Sequence, residues 1–315
     1  MTAAGLLAQL LELLVALAGA PLLLGWVDQW RARLQNRSAP PLLQPYRVLR
    51  KLFHKESVVA ESASPLFRLA PYIKFGCMAL ACGIVPTLST DLPLAAAADA
   101  IALVGLFALA RTFFALAAMD IGTAFGSLGA RRDMLVGFLA EPALLMTLFC
   151  ASLITHSTSL ANMVESIAHR PFALEPSLAF AGIAFTIVSL AENMRIPVDN
   201  PATHLELTMV HEALVLEYSA RHLAMLEWAA ALKLFAYSCM GLALFFPWGM
   251  AEIDDPLALA GAIPVLVLKL AVGGMTLALI ETVSAKMRIF RVPEFLATGF
   301  LLAVIGLLVH QLLGA

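Results

Sequence analysis

The chain has 315 residues, of which 61% are hydrophobic and only 13% are charged, and its mean hydropathy is +0.88. Because an average soluble domain carries roughly a quarter charged residues, this composition excludes a single soluble globule and predicts an integral membrane protein. The formal net charge of −2 gives no electrostatic indication of a polyanionic partner. We therefore expect a lipid bilayer as the main environment and no nucleic acid as a ligand.

Apolar segments recur along the whole chain, and eight of them are long enough to cross about 30 Å of hydrocarbon. They predict an all-α integral membrane protein that forms a single membrane domain over residues 1–315. The first segment lacks a basic leading region and is longer than the apolar core of a typical signal peptide, so we expect it to be a true span. The predicted spans are residues 3–24, 71–90, 99–119, 134–158, 177–198, 224–248, 260–281 and 294–313.

The basic residues indicate the orientation of these spans. Most of the 20 lysines and arginines lie in the odd-numbered loops, whereas the even-numbered loops carry only Arg170. Loops rich in lysine and arginine stay on the cytoplasmic side. We therefore expect a multi-pass protein of a bacterial inner membrane, with both termini on the non-cytoplasmic side.

The first predicted cytoplasmic loop, residues 25–70, contains a short amphipathic segment from Tyr46 to His54. The prolines before it separate this segment from a basic stretch. The cations of the segment are suited to anionic lipid headgroups or to docking a cytoplasmic partner, and the sequence does not choose between these roles. These cations include Arg47, Arg50 and Lys51.

The second predicted cytoplasmic loop is rich in glycine over residues 122–133. Glycine permits backbone conformations that other residues avoid, so this segment is expected either to pack closely against a neighbour or to act as a hinge. It lacks the lysine and the strand of a phosphate-binding loop. Arg131 and Arg132 at its end are predicted to have structural or docking roles.

The third predicted cytoplasmic segment, residues 192–222, combines five acids, two arginines and three histidines at a membrane edge. Its prolines end the fifth span, and a short amphipathic helix is predicted over about residues 202–218 at the membrane edge. Glu192, Arg195 and Asp199 are spaced to share one face if the helix continues through them.

Several ionisable residues lie at membrane depth, where each costs at least about 2.5 kcal/mol on insertion scales. One interpretation is that they form ion pairs that fix helix packing, such as Glu192 with Arg195 and Arg111 with Asp120. The other is a path for protons or ions, because acids outnumber cations along residues 192–217 and crowded carboxylates exchange protons near neutrality. The residues concerned are Glu12, Arg111, Asp120, Glu141, Glu192, Lys233, Lys269, Glu281 and His310.

The four cysteines all lie in apolar segments without the spacing of metal ligands. We therefore expect no zinc or other metal and no iron–sulfur cluster in this chain, and we assign no cofactor to it, whereas binding of quinone stays open.

Three separated motifs resemble one protein family. They are LQPYRVLRKLFHKE from Leu43, RTFFALAAMDIGTAFGSLGARRD from Arg111, and AEN-x-R-x-P-x-D from Ala191 followed by EYS from Glu217. The chain resembles the H-type membrane subunits of respiratory complex I, and within that family the membrane subunits of group 4 nickel-iron hydrogenases of the formate hydrogenlyase and hydrogenase-4 type. The resemblance covers essentially the whole chain.

The resemblance implies a non-catalytic membrane subunit of an oxidoreductase complex. In that family the subunit joins a cytoplasmic electron-transfer arm to antiporter-like membrane subunits, and its buried acids couple electron transfer to proton or Na⁺ translocation. The implied partners are an iron–sulfur small subunit and a hydrogenase-like large subunit. Iron–sulfur clusters and, in a hydrogenase, a nickel-iron centre are expected in those partners.

In that family, buried acids form the entry to a proton path, which we call the funnel. Carried over motif by motif, these positions correspond to seven acids of this chain. We add two lysines at membrane depth to the predicted path and assign structural or docking roles to Arg111 and Arg195. The funnel acids are Asp120, Glu141, Glu192, Asp199, Glu206, Glu212 and Glu217, and the added lysines are Lys233 and Lys269.

Departures from the family pattern keep two alternatives open. Asp120, where complex I has a glutamate, and residues 38–41, where it has a GPN-type turn, favour the hydrogenase branch. Glu192-Asn193-x-Arg195 is nearer to complex I, so the first alternative is a quinone-site subunit of a complex I-type dehydrogenase. The second is a stand-alone ion-coupled transporter, although the chain shows no internal repeat with a matched broken helix.

Overall fold

A computed structural model describes residues 3–90, 92–94, 99–169, 175–199, 210–251 and 256–313. Over these ranges the secondary structure is helical, with no β-strand. A 3₁₀ turn, Ile289–Arg291, precedes the last helix. The α-helices are α1 (Ala3–Leu34), α2 (Gln44–Phe53), α3 (Pro65–Ile84), α4 (Ala100–Asp120), α5 (Ala124–Thr155), α6 (Leu160–Ala168), α7 (Pro176–Glu192), α8 (His211–Val215), α9 (Ala220–Phe245), α10 (Pro256–Val283) and α11 (Val292–Leu313).

Seven of these described helices, namely α1, α3, α4, α5, α9, α10 and α11, are long and apolar enough to cross a membrane. The prediction of an all-α, multi-pass membrane protein is therefore confirmed. The helix α7 is also apolar but has 17 residues. Helices α1 and α5 have 32 residues each. Helix α1 continues past the end of the predicted span 3–24, and α5 begins before the start of the predicted span 134–158 but ends at Thr155.

Polar side chains at the helix ends set several of the boundaries. Ser64 starts α3 by accepting a hydrogen bond from the Leu66 amide at 3.1 Å, and Pro65 occupies the first turn. Asp99 starts α4 by accepting from the Ile101 amide at 2.7 Å. Asp99 also accepts from the Thr158 hydroxyl at 2.7 Å. This hydrogen bond lowers the pKa of Asp99 from its ordinary value and ties the start of α4 to the start of α6.

The glycine-rich segment 122–133 is mostly helical, so it does not form a separate hinge. Thr123 accepts a hydrogen bond from the Gly126 amide at 3.3 Å and caps α5, which begins at Ala124. A Cβ atom at Gly129 would lie 2.8 Å from Cβ of Ala213. The glycine therefore permits α5 to approach α8 closely, which is the packing alternative of the sequence prediction.

The predicted continuation of the fifth span through residues 192–199 is wrong. Helix α7 ends at Glu192, and Met194 has a φ of +49°, which a right-handed helix does not allow. Pro197 also removes a backbone donor. Glu192, Arg195 and Asp199 therefore do not share a helix face.

The second short helix of the sequence prediction is described only in part. Residues 200–209, and Glu206 among them, lie outside the described residues. After that gap the chain forms α8, a helix of five residues. By contrast, α2 covers most of the amphipathic segment predicted from Tyr46 to His54.

The membrane helices pack as a continuous bundle. Helix α3 lies between α4 and α9, α5 contacts α4, α7 and α11, and α1 contacts α9 and α10. Phe107, Phe235 and Tyr237 are among the side chains fully or almost fully buried between these helices. Helix α10 is peripheral and presents apolar side chains such as Val267 and Val272 outward.

Two glycines bring α11 against α7. A Cβ atom at Gly299 would lie 2.9 Å from Cγ2 of Ile187, and a Cβ atom at Gly306 would lie 2.9 Å from the Ser177 carbonyl oxygen. Small residues at such contacts let helix backbones approach in a membrane, where close packing replaces the hydrophobic effect as the driving force.

We predict that Gly306→Leu lowers the thermal stability of the detergent-purified protein. The added side chain meets backbone rather than a flexible side chain, and overpacking of this kind costs ~1–3 kcal/mol. Gly273→Leu on α10 is the matched control, because nothing lies within 4 Å of a Cβ atom there. An equal melting temperature for the two variants would contradict the close contact between α7 and α11.

Candidate functional site

A cluster of five charged side chains, which we call the Arg111 cluster, joins four helices in the interior. Arg111 of α4 donates to Glu192 Oε2 of α7 at 2.6 Å and to Glu141 Oε1 of α5 at 3.0 Å. Its Nε lies 3.6 Å from Asp133 Oδ2, also of α5. Lys233 of α9 completes the cluster. Arg111, Asp133 and Glu192 are buried.

Glu192 is the shared carboxylate of this cluster. Lys233 Nζ donates to Glu192 Oε2 at 2.8 Å and to the Glu192 carbonyl oxygen at 2.7 Å. The second bond is available because Glu192 is the last residue of α7, where carbonyl oxygens lack helical partners. Both the side chain and the backbone of Glu192 are therefore held by cations.

Gly137 of α5 makes room for this arrangement. A Cβ atom at this position would collide with the Arg111 guanidinium. The absence of a side chain lets Arg111 extend from α4 across α5 toward Glu141 and Glu192. Ion pairs are present among these residues, but their partners differ from those predicted: Glu192 pairs with Arg111 and Lys233 rather than with Arg195.

A second charged cluster lies around Glu281 of α10. Arg195 donates to Glu281 Oε1 at 3.2 Å, and Arg31 of α1 lies 3.5 Å from Glu281 Oε2. Arg31 also bonds Asp28 at 2.8 Å. Glu281 is buried, and these pairs tie the segment after α7 to α1 and α10.

Asp199 anchors the same segment to its neighbours. Lys286, just after α10, donates to Asp199 Oδ1 at 2.9 Å. Asp199 Oδ2 accepts from the Val210 and His211 amides at 3.2 Å each. The residues that follow α7 thus connect the Arg111 cluster with α8 and with the end of α10.

A cavity of about 290 Å³ lies between the two clusters. Charged side chains from α1, α3, α4, α5, α7, α8 and α9 surround it. This volume is far above the roughly 10–15 Å³ that one water molecule needs, and the polar lining makes a hydrated interior favourable. The charged residues that line it are Asp28, Arg31, Lys74, Arg111, Asp133, Glu192, Arg195, Glu212, Glu227 and Lys233.

His211 also lines this cavity but is not a proton carrier near neutral pH. Desolvation lowers the pKa of His211 to about 3, and the nearby Lys74 cation acts in the same direction. The imidazole is therefore neutral at physiological pH. Its ring lies beside Phe114 at a centroid distance of 6.5 Å.

A larger cavity of about 730 Å³ adjoins the first one. It lies between α1, the segment 35–45 and α2, and its lining combines apolar residues such as Leu49 and Ile196 with polar ones. Leu24, Asp28, Arg31, Glu227 and Ala231 line both cavities. The two cavities thus meet at α1 and α9.

Three of the predicted acids outside the Arg111 cluster, Asp120, Glu212 and Glu217, are partly or fully exposed, whereas Asp199 is buried. Asp120 accepts a hydrogen bond from the Ser64 amide at 2.8 Å, so it joins the end of α4 to the start of α3 rather than pairing with Arg111. Glu217 is exposed, and Glu212 is partly exposed on α8 at the cavity wall. None of these three belongs to the Arg111 cluster itself.

The EYS motif mainly holds the chain in place. Tyr218 stacks on Phe67 at a centroid distance of 3.9 Å and donates to the Phe67 carbonyl oxygen at 3.1 Å. Burial raises the pKa of Tyr218, so its hydroxyl stays protonated. Ser219 exchanges hydrogen bonds with the backbone of Val58. The motif therefore fixes the segment before α3 against the start of α9.

Lys269 lies apart from the Arg111 cluster. Its ammonium donates to the Phe246 carbonyl oxygen at 2.6 Å and to the Trp248 carbonyl oxygen, just after the end of α9. Phe246 is 13 residues beyond Lys233, about 20 Å along a helix axis. Lys269 therefore caps the end of α9 that is remote from the cavity.

Two groups of basic residues lie on the surface. All three basic residues of α2, Arg47, Arg50 and Lys51, are exposed, and Arg131 is exposed on α5. Arg132 is partly exposed. Their positions leave both lipid headgroups and a protein partner as possible contacts.

Sequence reasoning misses four residues of the site. Lys74 and Glu227 line the cavity, Asp133 contacts Arg111, and Arg31 contacts Glu281. Asp133 falls in a predicted loop and Lys74 in an apolar span. A lysine within an apolar span is the sequence feature that could have identified Lys74 as a candidate site residue.

The described residues contain no group of three or more histidine, cysteine, aspartate or glutamate side chains placed to hold a metal ion. All four cysteines are buried and free. The chemistry that this arrangement supports is the binding, pairing and exchange of protons or cations by carboxylates and amines.

Comparison with known proteins identifies the family. The profile of the NADH dehydrogenase family matches residues 8–311. Formate hydrogenlyase subunit 4 of Escherichia coli K12 is 34% identical over 291 residues, covering 92% of this chain and 94% of that protein. Hydrogenase-4 component C of the same organism is 31% identical over 300 residues, covering 94% and 93%.

A complex I subunit is also similar in sequence, and a chain of known structure has the same fold. An H-type subunit of the NADH-quinone oxidoreductase of Symbiobacterium thermophilum is 31% identical over 217 residues, covering 64% of this chain and 63% of that protein. A chain in the structure of the membrane-bound sulfane sulfur reductase, an archaeal respiratory membrane complex, superposes with a TM-score of 0.84 at 21% identity, covering 96% of this chain and 98% of that chain. This chain belongs to the NADH dehydrogenase family and is similar to the H-type subunits of complex I and to the membrane subunits of formate hydrogenlyase and hydrogenase-4.

Proposed function

We propose that this chain is the membrane subunit that couples electron transfer in a cytoplasmic arm to the translocation of protons or Na⁺. The observation that carries the proposal is the Arg111 cluster, in which a buried carboxylate between two cations faces a polar cavity. A protein that uses the bilayer only as a solvent has no need of such charges at membrane depth.

The proposed mechanism begins at the surface formed by residues 25–70, 120–133 and 192–222. Electron transfer in a partner changes the charge or the conformation beside these segments. Acids at the cavity then take up or release protons, and the Arg111 cluster passes the change toward neighbouring membrane subunits. The proposed coupling residues are Asp120, Glu141, Glu192, Asp199, Glu206, Glu212, Glu217 and Lys233, whereas Lys269 has a capping role.

The proposed partners follow from the relatives, which carry the names of formate hydrogenlyase and hydrogenase-4 components. They are a cytoplasmic iron–sulfur small subunit, a hydrogenase-like large subunit and antiporter-like membrane subunits. The iron–sulfur clusters and any nickel-iron centre belong to those partners. A stand-alone transporter has less support, because full-length relatives are subunits.

We predict that Glu192→Gln uncouples the assembled complex. Glutamine removes the charge that pairs with Arg111 and Lys233, so proton or Na⁺ translocation into vesicles should fall to background while electron transfer by the cytoplasmic arm continues. Translocation is followed with a pH-sensitive dye or with radioactive Na⁺, and electron transfer with the native donor and a soluble acceptor.

The matched control is Glu165→Gln, which changes an exposed glutamate on α6. Assembly is checked by the amounts of co-purifying subunits. A Glu192→Gln complex that assembles fully and still translocates ions at the rate of the control would contradict the proposed coupling function.

We also propose an eight-span topology in which α7 crosses the membrane and both termini are non-cytoplasmic. With 17 residues, α7 has about the minimum length for a span. Its polar C-terminal residue lies in the Arg111 cluster, where neighbouring helices satisfy the charge. The inner membrane of a bacterial cell is the proposed location.

Labelling of single cysteines tests this topology, since all four native cysteines are buried. We expect a membrane-impermeant maleimide added to intact spheroplasts to label Ala168→Cys but not Ser38→Cys or Ala285→Cys, because of the basic-residue bias. Labelling of Ala285→Cys from outside would show that α7 does not cross. Permeabilised membranes provide the control for reactivity.

The larger cavity supports a second candidate function, a quinone site. Its combination of apolar walls and polar groups at the junction with the first cavity matches the amphiphilic character of a quinone. In that case electrons would leave the arm through quinone bound near α1 and α2.

We predict that Leu24→Trp distinguishes reduction of quinone from electron transfer to other acceptors. Leu24 lines both cavities, so a larger side chain there narrows the junction between them. If quinone binds there, the bulky side chain should abolish reduction of a soluble quinone analogue by the purified complex and leave reduction of an artificial dye intact. A wild-type complex that reduces no quinone analogue would eliminate this candidate.

A further inference from the structure

Lys74 differs from the other buried cations of the site in what surrounds it. Arg111, Lys233 and Arg195 each lie within 3.2 Å of a carboxylate oxygen. Lys74 is also buried, at 8% exposed, yet among the described residues no carboxylate oxygen lies within 4 Å of its Nζ atom. Its close contact is the ring of Phe114, whose centroid is 3.5 Å away.

This contact distinguishes the two protonation states of the side chain. A ring face attracts an ammonium through its quadrupole but has no comparable attraction for a neutral amine. A carboxylate in direct contact would also hold the charged form through a strong ion pair, and no described residue makes that contact with Lys74. The flexible four-carbon stem of lysine lets the amine turn away from the ring once the proton is gone.

Lys74 lines the same cavity as Glu212, Glu227 and Asp133. Glu212 of α8 and Glu227 of α9 line the side toward the surface helix α8 and the second cavity. Asp133 of α5 lines the same cavity and is the carboxylate that reaches the Arg111 cluster, 3.6 Å from the Nε atom of Arg111.

We propose that Lys74 carries the proton across this cavity, from Glu212 and Glu227 to Asp133. The Lys74 ammonium gives a proton to the Asp133 carboxylate and becomes a neutral amine. The amine then takes a proton from the carboxylic acid of Glu227 or Glu212 through cavity water, and that acid is reloaded from the cytoplasmic side. Asp133 passes its proton on through the Arg111 cluster toward the neighbouring membrane subunits and becomes a carboxylate again, so that one proton enters and one leaves in each cycle.

The other groups at the cavity are less suited to this step. Arg31, Arg111 and Arg195 keep their protons at all physiological pH values. The His211 imidazole is neutral near pH 7. Lys233 is held by two oxygens of Glu192. The inference rests on the proposed function, because it supplies a carrier for the translocated proton.

Substitution by arginine provides the decisive test, because arginine keeps the charge and the contact with a ring but does not release a proton. The complete complex carrying Lys74→Arg or Lys74→Met is reconstituted into vesicles, and proton uptake and electron transfer are measured together. We expect both variants to lose proton translocation while electron transfer continues.

Lys55→Arg is the matched control, because Lys55 is exposed and does not line the cavity, and arginine keeps its charge. We expect this variant to translocate protons like the wild type. If Lys74→Arg also translocates at the wild-type rate while Lys74→Met does not, Lys74 is only a fixed cation and the inference is overturned. Normal translocation by both Lys74 variants would overturn it as well.

The experiment also separates this inference from the proposed function. Loss of translocation in Glu192→Gln together with normal translocation in Lys74→Arg would contradict the role of Lys74 but not the coupling function. Normal translocation in Glu192→Gln would remove the coupling function on which it rests. Assembly of the Lys74 variants is verified by subunit content, and Lys74→Gln, which is shorter and neutral, replaces Lys74→Met if the latter fails to assemble.

Discussion

The ion pair between Arg111 and Glu192 is the interaction on which the rest of the site depends. It joins α4 to the end of α7 at 2.6 Å inside the protein, and Glu141 and Lys233 complete it from α5 and α9. Removal of one partner from a buried pair costs ~3–5 kcal/mol, because the other charge stays unpaired. The same constraint places a charged carboxylate at membrane depth, so the packing of these helices and the proposed coupling rest on the same few atoms.

The position of Glu192 at a helix end links this cluster to the surface. Arg195 and Asp199 follow within seven residues and reach Glu281 and Lys286 at the end of α10. Asp199 also holds the start of α8 through the Val210 and His211 amides. A partner that displaces α8 would therefore act on the chain segment that carries Glu192. Such a segment can transmit a change because its ion pairs have discrete partners rather than a continuous range of contacts.

Much of the fold could be predicted from sequence, because apolar length alone identifies membrane helices. Most of the predicted spans correspond to helices, and the charge at Glu141 and Glu192 marked them as part of a site. The partners of these charges could not be predicted, since helix spacing favoured Arg195 for Glu192 whereas packing of distant helices brought Arg111 there. Asp133 was not predicted as a site residue, because the glycines at 126 and 129 suggested a loop. Thr123 instead caps a helix that includes them. Lys74 was not predicted as a site residue, because one lysine hardly changes the mean hydropathy of a span.

Arginine and lysine have different roles in this interior. Arg111 and Arg195 contact carboxylates that belong to different helices, which suits a planar cation with several donors and a permanent charge. Lys233 uses its compact ammonium to reach both oxygen types of Glu192 at the end of α7. Lys74 contacts an aromatic ring instead of a carboxylate, so its charge is the least constrained of the buried cations at the cavity. In the proposed function, this chain acts on a redox partner through the charge and the shape of this site. In the proposed mechanism, the arginines at this cavity stay charged, whereas the charge of Lys74 changes.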